Sequence, residues 1–330
     1  MPASFPSTRH RRLRQSSWIR QIVAETALAV DDLILPIFIR EDSLPAAPLP
    51  YKPFYRYSLN ELPKILEEAL TSGISAIMLF PVIESAKKDQ HGSEACNANG
   101  LLAQALRLIK QINLPIGLFV DVALDPYTSH GHDGVIINNK IDNDATVEHL
   151  TELALILADA GADALAPSDM MDGRVGAIRK ALDHKGFSDR LIISYTAKYA
   201  SSFYGPFRTV VGAHTLTGLI DKKTYQMDPR NAREALQEAI FDINEGADML
   251  IVKPGLPYLD IISELSQKTA TPILAYHVSG EYMMVKTAAE AGYIDEKNAF
   301  IESCIAFKRA GARSIITYAA LDIVKWLNKS

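Results

Sequence analysis

Read only for hydrophobic and polar positions, the chain is a succession of short apolar runs separated by longer stretches of helical period. The runs are "LILPIFI" (33–39), "ISAIMLFPV" (74–82), "PIGLFVDVAL" (115–124), "ADALAPS", "LIISYT" (191–196), "ADMLIVKPG" (247–255), "TPILAYHVS" (271–279) and "SIITY" (314–318). Each is almost continuously apolar rather than alternating, the mark of a parallel strand covered on both faces. Amphipathic stretches such as "LNELPKILEEALTSG", "ATVEHLTELALILADAGA" and "NAREALQEAIFDINEGA" lie between them. Phrases like "AGADALAP", "EGADMLIV" and "AGARSIIT" repeat one grammar: a helix end, a Gly stop that suits a left-handed C-cap, then a strand. Eight such units predict an α/β fold, a (β/α)8 TIM barrel. A doubly wound open sheet is the alternative, but no G-x-G-x-x-G follows the first strand. With no Gly/Ser linker, the expected organisation is an N-terminal arm over 1–30 and one barrel domain over 31–330.

Composition narrows the function. A 330-residue chain with 48% apolar residues can build one large barrel, and a net charge of −5 disfavours a general nucleic-acid binder. Runs such as "ISAIMLFPVI" fall short of the ~20 residues needed to span a bilayer, so no membrane segment is expected. Cys96 and Cys304 match no metal or redox spacing and suit a reducing compartment, so a cytoplasmic location is expected. The N-terminus, "MPASFPSTRHRRLRQSSWIRQIVAE", has no acidic residue before Glu25. It reads either as a transit peptide or as a basic arm that docks on another surface.

In such barrels chemistry gathers at the C-terminal ends of the strands. Two lysines stand there on neighbouring strands, Lys198 after "SYTA" and Lys253 after "MLIV". Adjacent strands lie about 4.8 Å apart, so both ammonium groups can enter one pocket. Like charge and desolvation should then depress both, and a depressed lysine is a nucleophile suited to forming a Schiff base with a ketone. Arg208, in a Gly/Pro/aromatic segment that can act as a lid, and Lys222 with Lys223 are anion binders within reach; Ser279 and Tyr318 end two further strands and can donate hydrogen bonds. Together they suggest a small carbonyl substrate bearing a carboxylate.

Two acidic stretches invite metal readings. "DVALDPYTSHGHDG" (121–134) holds Asp121, Asp125, Asp133, His130 and His132 without a cysteine. Glu234 and Glu238 are four apart on one predicted helix face, which is either a solvated acidic face or a cation site.

At these residues the sequence resembles the porphobilinogen synthase (5-aminolaevulinate dehydratase) family. The matching blocks are "RHRRLR", "DDLILPIFI", "DVALDPYTSHGHDG", "APSDMMDGR", "SYTAKYASSFYGPFR", "YQMDPRNAREA", "GADMLIVKPGLPYLDI", "YHVSGEY" and "FKRAGA", spread over essentially the whole chain. The resemblance implies the joining of two 5-aminolaevulinate molecules into porphobilinogen with loss of two waters, a step shared by haem, chlorophyll and cobalamin synthesis. It implies a Schiff base of Lys253 with the substrate that supplies the propionate side, and of Lys198 with the other. It implies Ser279 and Tyr318 as partners of the first carboxylate, and Arg208 and Lys222 as partners of the second. Many relatives have Arg at position 222; Lys222 cannot form the bidentate fork, and Lys223 is a candidate to share its task.

Zinc-dependent relatives carry three cysteines where this chain has Ala123, Asp125 and Asp133. Without thiolates, zinc is not expected there; a monovalent or hard divalent cation near Asp125 and Asp133 fits the donors better, and His130 and His132 are expected to orient the loop. The resemblance further implies an activating Mg²⁺ at Glu238, remote from the active site at a subunit contact. It also implies an arm that embraces a neighbouring subunit of a homo-oligomer, typically an octamer. Two competing readings remain: a general class I aldolase-type lyase, which needs one Schiff-base lysine, and a non-catalytic barrel used for assembly or binding.

Overall fold

The computed structural model describes residues 4–46, 54–212 and 221–328. Eight parallel strands form its centre: β1 (Leu33–Arg40), β2 (Ala76–Val82), β3 (Gly117–Val122), β4 (Ala164–Pro167), β5 (Leu191–Lys198), β6 (Met249–Lys253), β7 (Ile273–His277) and β8 (Ser314–Thr317). Each pairs with the next, and β8 returns to β1 through Leu33↔Ile315 and Ile34↔Ile316, which closes the barrel. The expected TIM barrel is therefore present, and the open-sheet alternative is excluded by the closing pair.

The apolar runs become strands because both of their faces are covered. β1 is buried at every position but its last, and β4 throughout. Helices supply the outer cover. Leu101–Ile112, for instance, buries Leu102, Leu106 and Ile109 on one stripe. The Gly stops behave as predicted at Gly161, Gly246 and Gly311, which hold φ of 113°, 105° and 112° at helix ends. At Gly311 a side chain is also excluded by space, because an added Cβ would lie 2.3 Å from Ser266 Oγ.

Three details are not evident in the hydrophobic pattern. A short strand, Arg56–Tyr57, pairs with the outer end of β1. After β3 the chain makes a small antiparallel hairpin, Ile136–Ile137 with Lys140–Ile141. Its two-residue turn, Asn138–Asn139, holds φ of 51° and 59°, a turn type that asparagine tolerates. The segment read as a lid is a helix, Gly205–Val211, that packs against helix Ser279–Glu290; residues 213–220, just beyond it, lie outside the described residues.

The arm stands apart. It holds a short 3₁₀ turn (His10–Arg14) and a six-residue helix (Ser17–Ile22), and no described side chain before Leu33 is buried. Phe5, Trp18 and Ile22 are 77%, 61% and 72% exposed. The root of the arm is fixed by Asp32, which accepts from the Ala29 N–H at 2.8 Å and pairs with Lys308 at 2.6 Å. Among the described residues no helix is long and apolar enough to cross a membrane.

Candidate active site

Lys198 and Lys253 are the last residues of β5 and β6, and they stand directly opposite each other in register. Both are buried at the mouth of the barrel, 5% and 6% exposed. Their surroundings differ sharply.

Lys253 is caged by aromatic rings: its Nζ lies 4.7 Å from the ring centre of Tyr276, 5.0 Å from Phe207, 5.1 Å from Tyr195 and 5.4 Å from Tyr204. Burial, and then the charge of Lys198, lower its pKa to about 7. The ring faces favour the ammonium form by about 0.5–2 kcal/mol at most, which offsets only part of a full desolvation. Lys253 is thus a free amine in a substantial fraction of molecules at neutral pH.

Lys198 goes the other way. Burial lowers its pKa, but the charges of Asp133, Asp125 and Asp121 outweigh burial and raise it. Its ammonium pairs with Asp133 Oδ1 at 3.2 Å and donates to the Ser168 carbonyl. The expectation that the two lysines depress each other therefore holds for Lys253 alone. The reason is Asp133, whose loop returns from β3 to neutralise Lys198.

Asp133 is the hub of that side. Its Oδ2 pairs with Lys222 at 3.2 Å and accepts from Gln226 at 3.4 Å. Although burial works against it, the charges of Lys198 and Lys222 hold its carboxyl well below the usual range. Asp121, on β3, is pushed up to about 7 by burial and by Asp125, against the pull of both lysines. Burial and the charge of Asp133 also raise Asp125. A carboxyl poised near neutrality between two amines can give and take protons.

The other expected residues divide between the two lysines. Ser279 is fully buried; its Oγ accepts from the Phe207 N–H at 2.9 Å. The Tyr318 hydroxyl lies 3.1 Å from that of Tyr276. Phe207 and Tyr276 both belong to the cage of Lys253, so Ser279 and Tyr318 sit on the Lys253 side. Lys222 reaches Lys198 through Asp133 and is turned inward, whereas Lys223 is exposed. Arg208 is half-buried on the lid helix, its guanidinium 5.9 Å from the ring centre of Tyr204.

The histidines of the loop make local bonds. His130 Nε2 lies 3.1 Å from the Gln90 carbonyl, and its Nδ1 accepts from the His132 N–H at 3.1 Å. His132 Nδ1 lies 3.0 Å from the Tyr225 hydroxyl. Among the described residues, no three His, Cys, Asp or Glu side chains group in a way that could hold a metal ion. Glu238 stands elsewhere, half-buried at a cavity of about 640 Å³ that Asp172 and Glu234 also line. Burial, then the charges of Asp242, Asp172 and Glu234, raise its pKa to about 7 against the pull of Arg174.

Similarity to known proteins bears directly on this site. Residues 7–326 match the family described as "Delta-aminolevulinic acid dehydratase". The chain belongs to the delta-aminolevulinic acid dehydratase family. Delta-aminolevulinic acid dehydratase of Bradyrhizobium diazoefficiens is 49% identical over 97% of this chain and 90% of its own length. That of Halalkalibacterium halodurans is 49% identical over 97% of both chains. Among solved structures, delta-aminolevulinic acid dehydratase (porphobilinogen synthase) from Toxoplasma gondii, in complex with its reaction product porphobilinogen, is similar with a TM-score of 0.93. It is 48% identical, covering 97% of this chain and 91% of that one.

Three parts of this dehydratase's site escape a reading of the sequence. Asp133 and Asp121 stand out there only as members of a stretch that invites a metal reading, and the aromatic cage not at all. Asp121 carries a usable signal: a lone carboxylate inside the apolar run "GLFVDV". The cage carries none, because Tyr195 and Tyr276 read as ordinary strand core and Tyr204 and Phe207 as part of a lid, with nothing to join the four around one lysine.

Proposed function

We infer that this chain is a lyase that condenses two molecules of 5-aminolaevulinate into porphobilinogen with loss of two waters, and that Lys253 and Lys198 hold one substrate each. The observation that carries the reading is the register pair Lys198↔Lys253, which sets two amines side by side in opposite electrostatic settings. Lys253 attacks its ketone as the free amine and expels one water as the imine forms. Lys198, held as the ammonium by Asp133, gives its proton to Asp121, whose carboxyl lies near neutrality, and then forms the second imine with loss of the second water. Each iminium withdraws electrons from the adjacent carbon, so a proton there can leave and the resulting enamine can attack the partner's iminium carbon. Each lysine departs as an amine when the new C–C or C–N bond replaces it, and loss of a proton from the ring completes the pyrrole. Asp121, near both amines, is placed to shuttle these protons. Ser279 and Tyr318 receive the carboxylate of the Lys253 substrate; Arg208 and Lys222 receive that of the other. Holding both molecules in one pocket converts an improbable encounter into an oriented one. A single-lysine aldolase would have no use for the second built environment, and a binding protein none for either. With 5-aminolaevulinate as sole substrate, Ehrlich's reagent should develop the colour of porphobilinogen; absence of colour from folded, Mg²⁺-supplied protein overturns the assignment.

The charge pattern predicts a pH shift that can be read without turnover. Borohydride with 5-aminolaevulinate should trap Lys253 with a midpoint near its pKa of about 7, and trapping should fall as the pH drops and the amine protonates. In Lys198→Met the like charge that lowers this pKa is gone, so the midpoint should move to higher pH. A midpoint that stays put or moves lower contradicts the coupling of the two lysines.

Metals enter this reading at Glu238. Its carboxyl is half-buried and raised toward neutrality by burial and by Asp242, Asp172 and Glu234, against the pull of Arg174, a setting that a hard cation relieves. With no ready three-ligand cluster among the described residues, Glu238 would hold Mg²⁺ as one carboxylate among waters. Such an ion would supply charge compensation, not chemistry at the lysines. Glu238→Ala should abolish Mg²⁺ binding measured by titration calorimetry; unchanged binding refutes the site. In the loop 121–134 the donors are carboxylates and imidazoles, so a zinc-selective chelator should leave activity nearly unchanged. Stoichiometric zinc, with activity lost on its removal, would be the contrary result. A monovalent or hard divalent cation near Asp125 and Asp133 would have to compete with Lys198 and Lys222 for Asp133. The assembled state is a homo-oligomer larger than a dimer, an octamer joined through the arms, and the exposed apolar side chains of the arm support it.

A further inference from the structure

β5 and β6 do not pair evenly. Ser194 faces Leu250, Ala197 faces Val252 and Lys198 faces Lys253, so Tyr195 and Thr196 together stand opposite the single residue Ile251. One extra residue inverts the alternation of side chains beyond it. Ser194, before the bulge, turns outward and its Oγ donates to Asp242 at 2.7 Å, while Tyr195, the first bulge residue, turns inward beside Lys253. Without the extra residue, Ala197 would stand level with Lys253, and Lys198 would turn out toward the helices. The bulge is what brings both amines into one pocket.

The bulge is clasped from outside by one side chain. Arg174, the first residue of helix Arg174–His184, is 2% exposed. Its Nη2 donates to Ser194 Oγ at 3.0 Å and to the Tyr195 carbonyl at 3.3 Å, and its Nη1 donates to the Met171 carbonyl at 3.1 Å. Asp169 and Asp242 balance its charge at 3.6 and 3.5 Å. The extra residue does not secure itself, since the Thr196 hydroxyl is buried without a hydrogen-bond partner. The loop that delivers Arg174 is itself constrained: Met170 holds φ at 70°, and the Met171 N–H donates to Asp169 Oδ1 at 2.7 Å. One guanidinium nitrogen serves the bulge while the other holds the Met171 carbonyl of the preceding loop; a lysine, with one nitrogen, cannot span both.

We propose that Arg174 is a positioning residue for Lys198: it clamps the Ser194–Ala197 bulge and so keeps Lys198 level with Lys253. It touches neither amine. The proposal rests on the reading of Lys198 as the second Schiff-base lysine, and the test separates the two. Arg174→Lys and Ser194→Ala are made in the full-length chain and treated with borohydride and 5-aminolaevulinate, and the adducts are mapped by mass spectrometry. The adduct at Lys253 should persist, that at Lys198 should fall severalfold, and kcat should drop by up to about 100-fold, the scale of a misplacement near 1 Å. A general loss of structure would instead lower both adducts together. The geometry is read independently in a Lys198→Cys/Lys253→Cys double variant treated with dibromobimane. The thiols should be bridged in that background and bridged far less when Arg174→Lys or Ser194→Ala is added. If the unmutated enzyme shows no adduct at Lys198, the Schiff-base reading of that lysine fails, and bridging alone decides the clamp. Undiminished bridging in the variants overturns it. Should Arg174→Lys fail to fold, Ser194→Ala carries both measurements.

Discussion

Lys253→Ala should eliminate turnover, lowering kcat by on the order of 10⁴-fold or more, the scale of losing a nucleophile that acts as part of a unit. The cause is chemical rather than structural. Lys253 is the buried amine whose pKa lies near neutrality, and the rings around it exclude the water that would keep it charged. Lys198 cannot replace it, because Asp133 and its neighbours stabilise the ammonium form. The fold should survive, since truncation removes a charge-bearing group that burial disfavours. The folded-state pKa lies below the ordinary 10.5, so the unfolded chain binds more protons between about pH 7 and 10.5. Stability of the unmutated protein therefore rises with pH across that window, and Lys253→Ala should lose that rise. The measurements are the Ehrlich assay, borohydride adduct mapping and thermal unfolding at pH 7 and pH 10. A variant that still makes porphobilinogen at the normal rate would show that Lys253 is not the nucleophile.

How much of the molecule is legible in its sequence depends on how local each signal is. The eight strands are visible because burial on both faces writes itself as uninterrupted apolar runs, and the Gly stops because a left-handed cap needs that residue. The two lysines are visible because charged residues at the ends of apolar strands are conspicuous. Their opposite electrostatic fates are not, because Asp133, which decides them, lies far from both in sequence and reaches Lys198 only through the folded loop. The bulge in β5 is hidden for another reason. In "LIISYTAK" every position is buried except the first, so an extra residue leaves no break in the pattern to betray it. The hairpin at 136–141 escapes notice although Asn138–Asn139 signals it, since its strands are only two residues each.

If the arms join the proposed assembly, deleting residues 1–30 should leave dimers or smaller species, without unfolding the barrel. The barrel has little stake in the arm: of the described residues up to position 30 only Leu28 and Val30, both partly buried, pack against the core, and the barrel closes through Leu33 and Ile34. The arm has a large stake in finding a partner. Phe5, Leu13, Trp18 and Ile22 are each at least half exposed, at 77%, 50%, 61% and 72%. Burying such a side chain stabilises a contact by roughly 1.5–3 kcal/mol, enough over four of them to offset the cost of ordering a short segment. Arg9, Arg11, Arg12 and Arg14 on the same segment add a charge pattern that an acidic partner surface can select. In a symmetric assembly each chain both gives and receives an arm, so removing it cancels two contacts per subunit. Mg²⁺ at Glu238 should favour the larger form only if it binds that form more tightly, because a ligand shifts an equilibrium through such a difference alone. Sedimentation velocity of the full chain and of 31–330, with and without Mg²⁺, measures both effects. A truncated chain that sediments like the full one, with full activity, would show that the arm does not hold the assembly together.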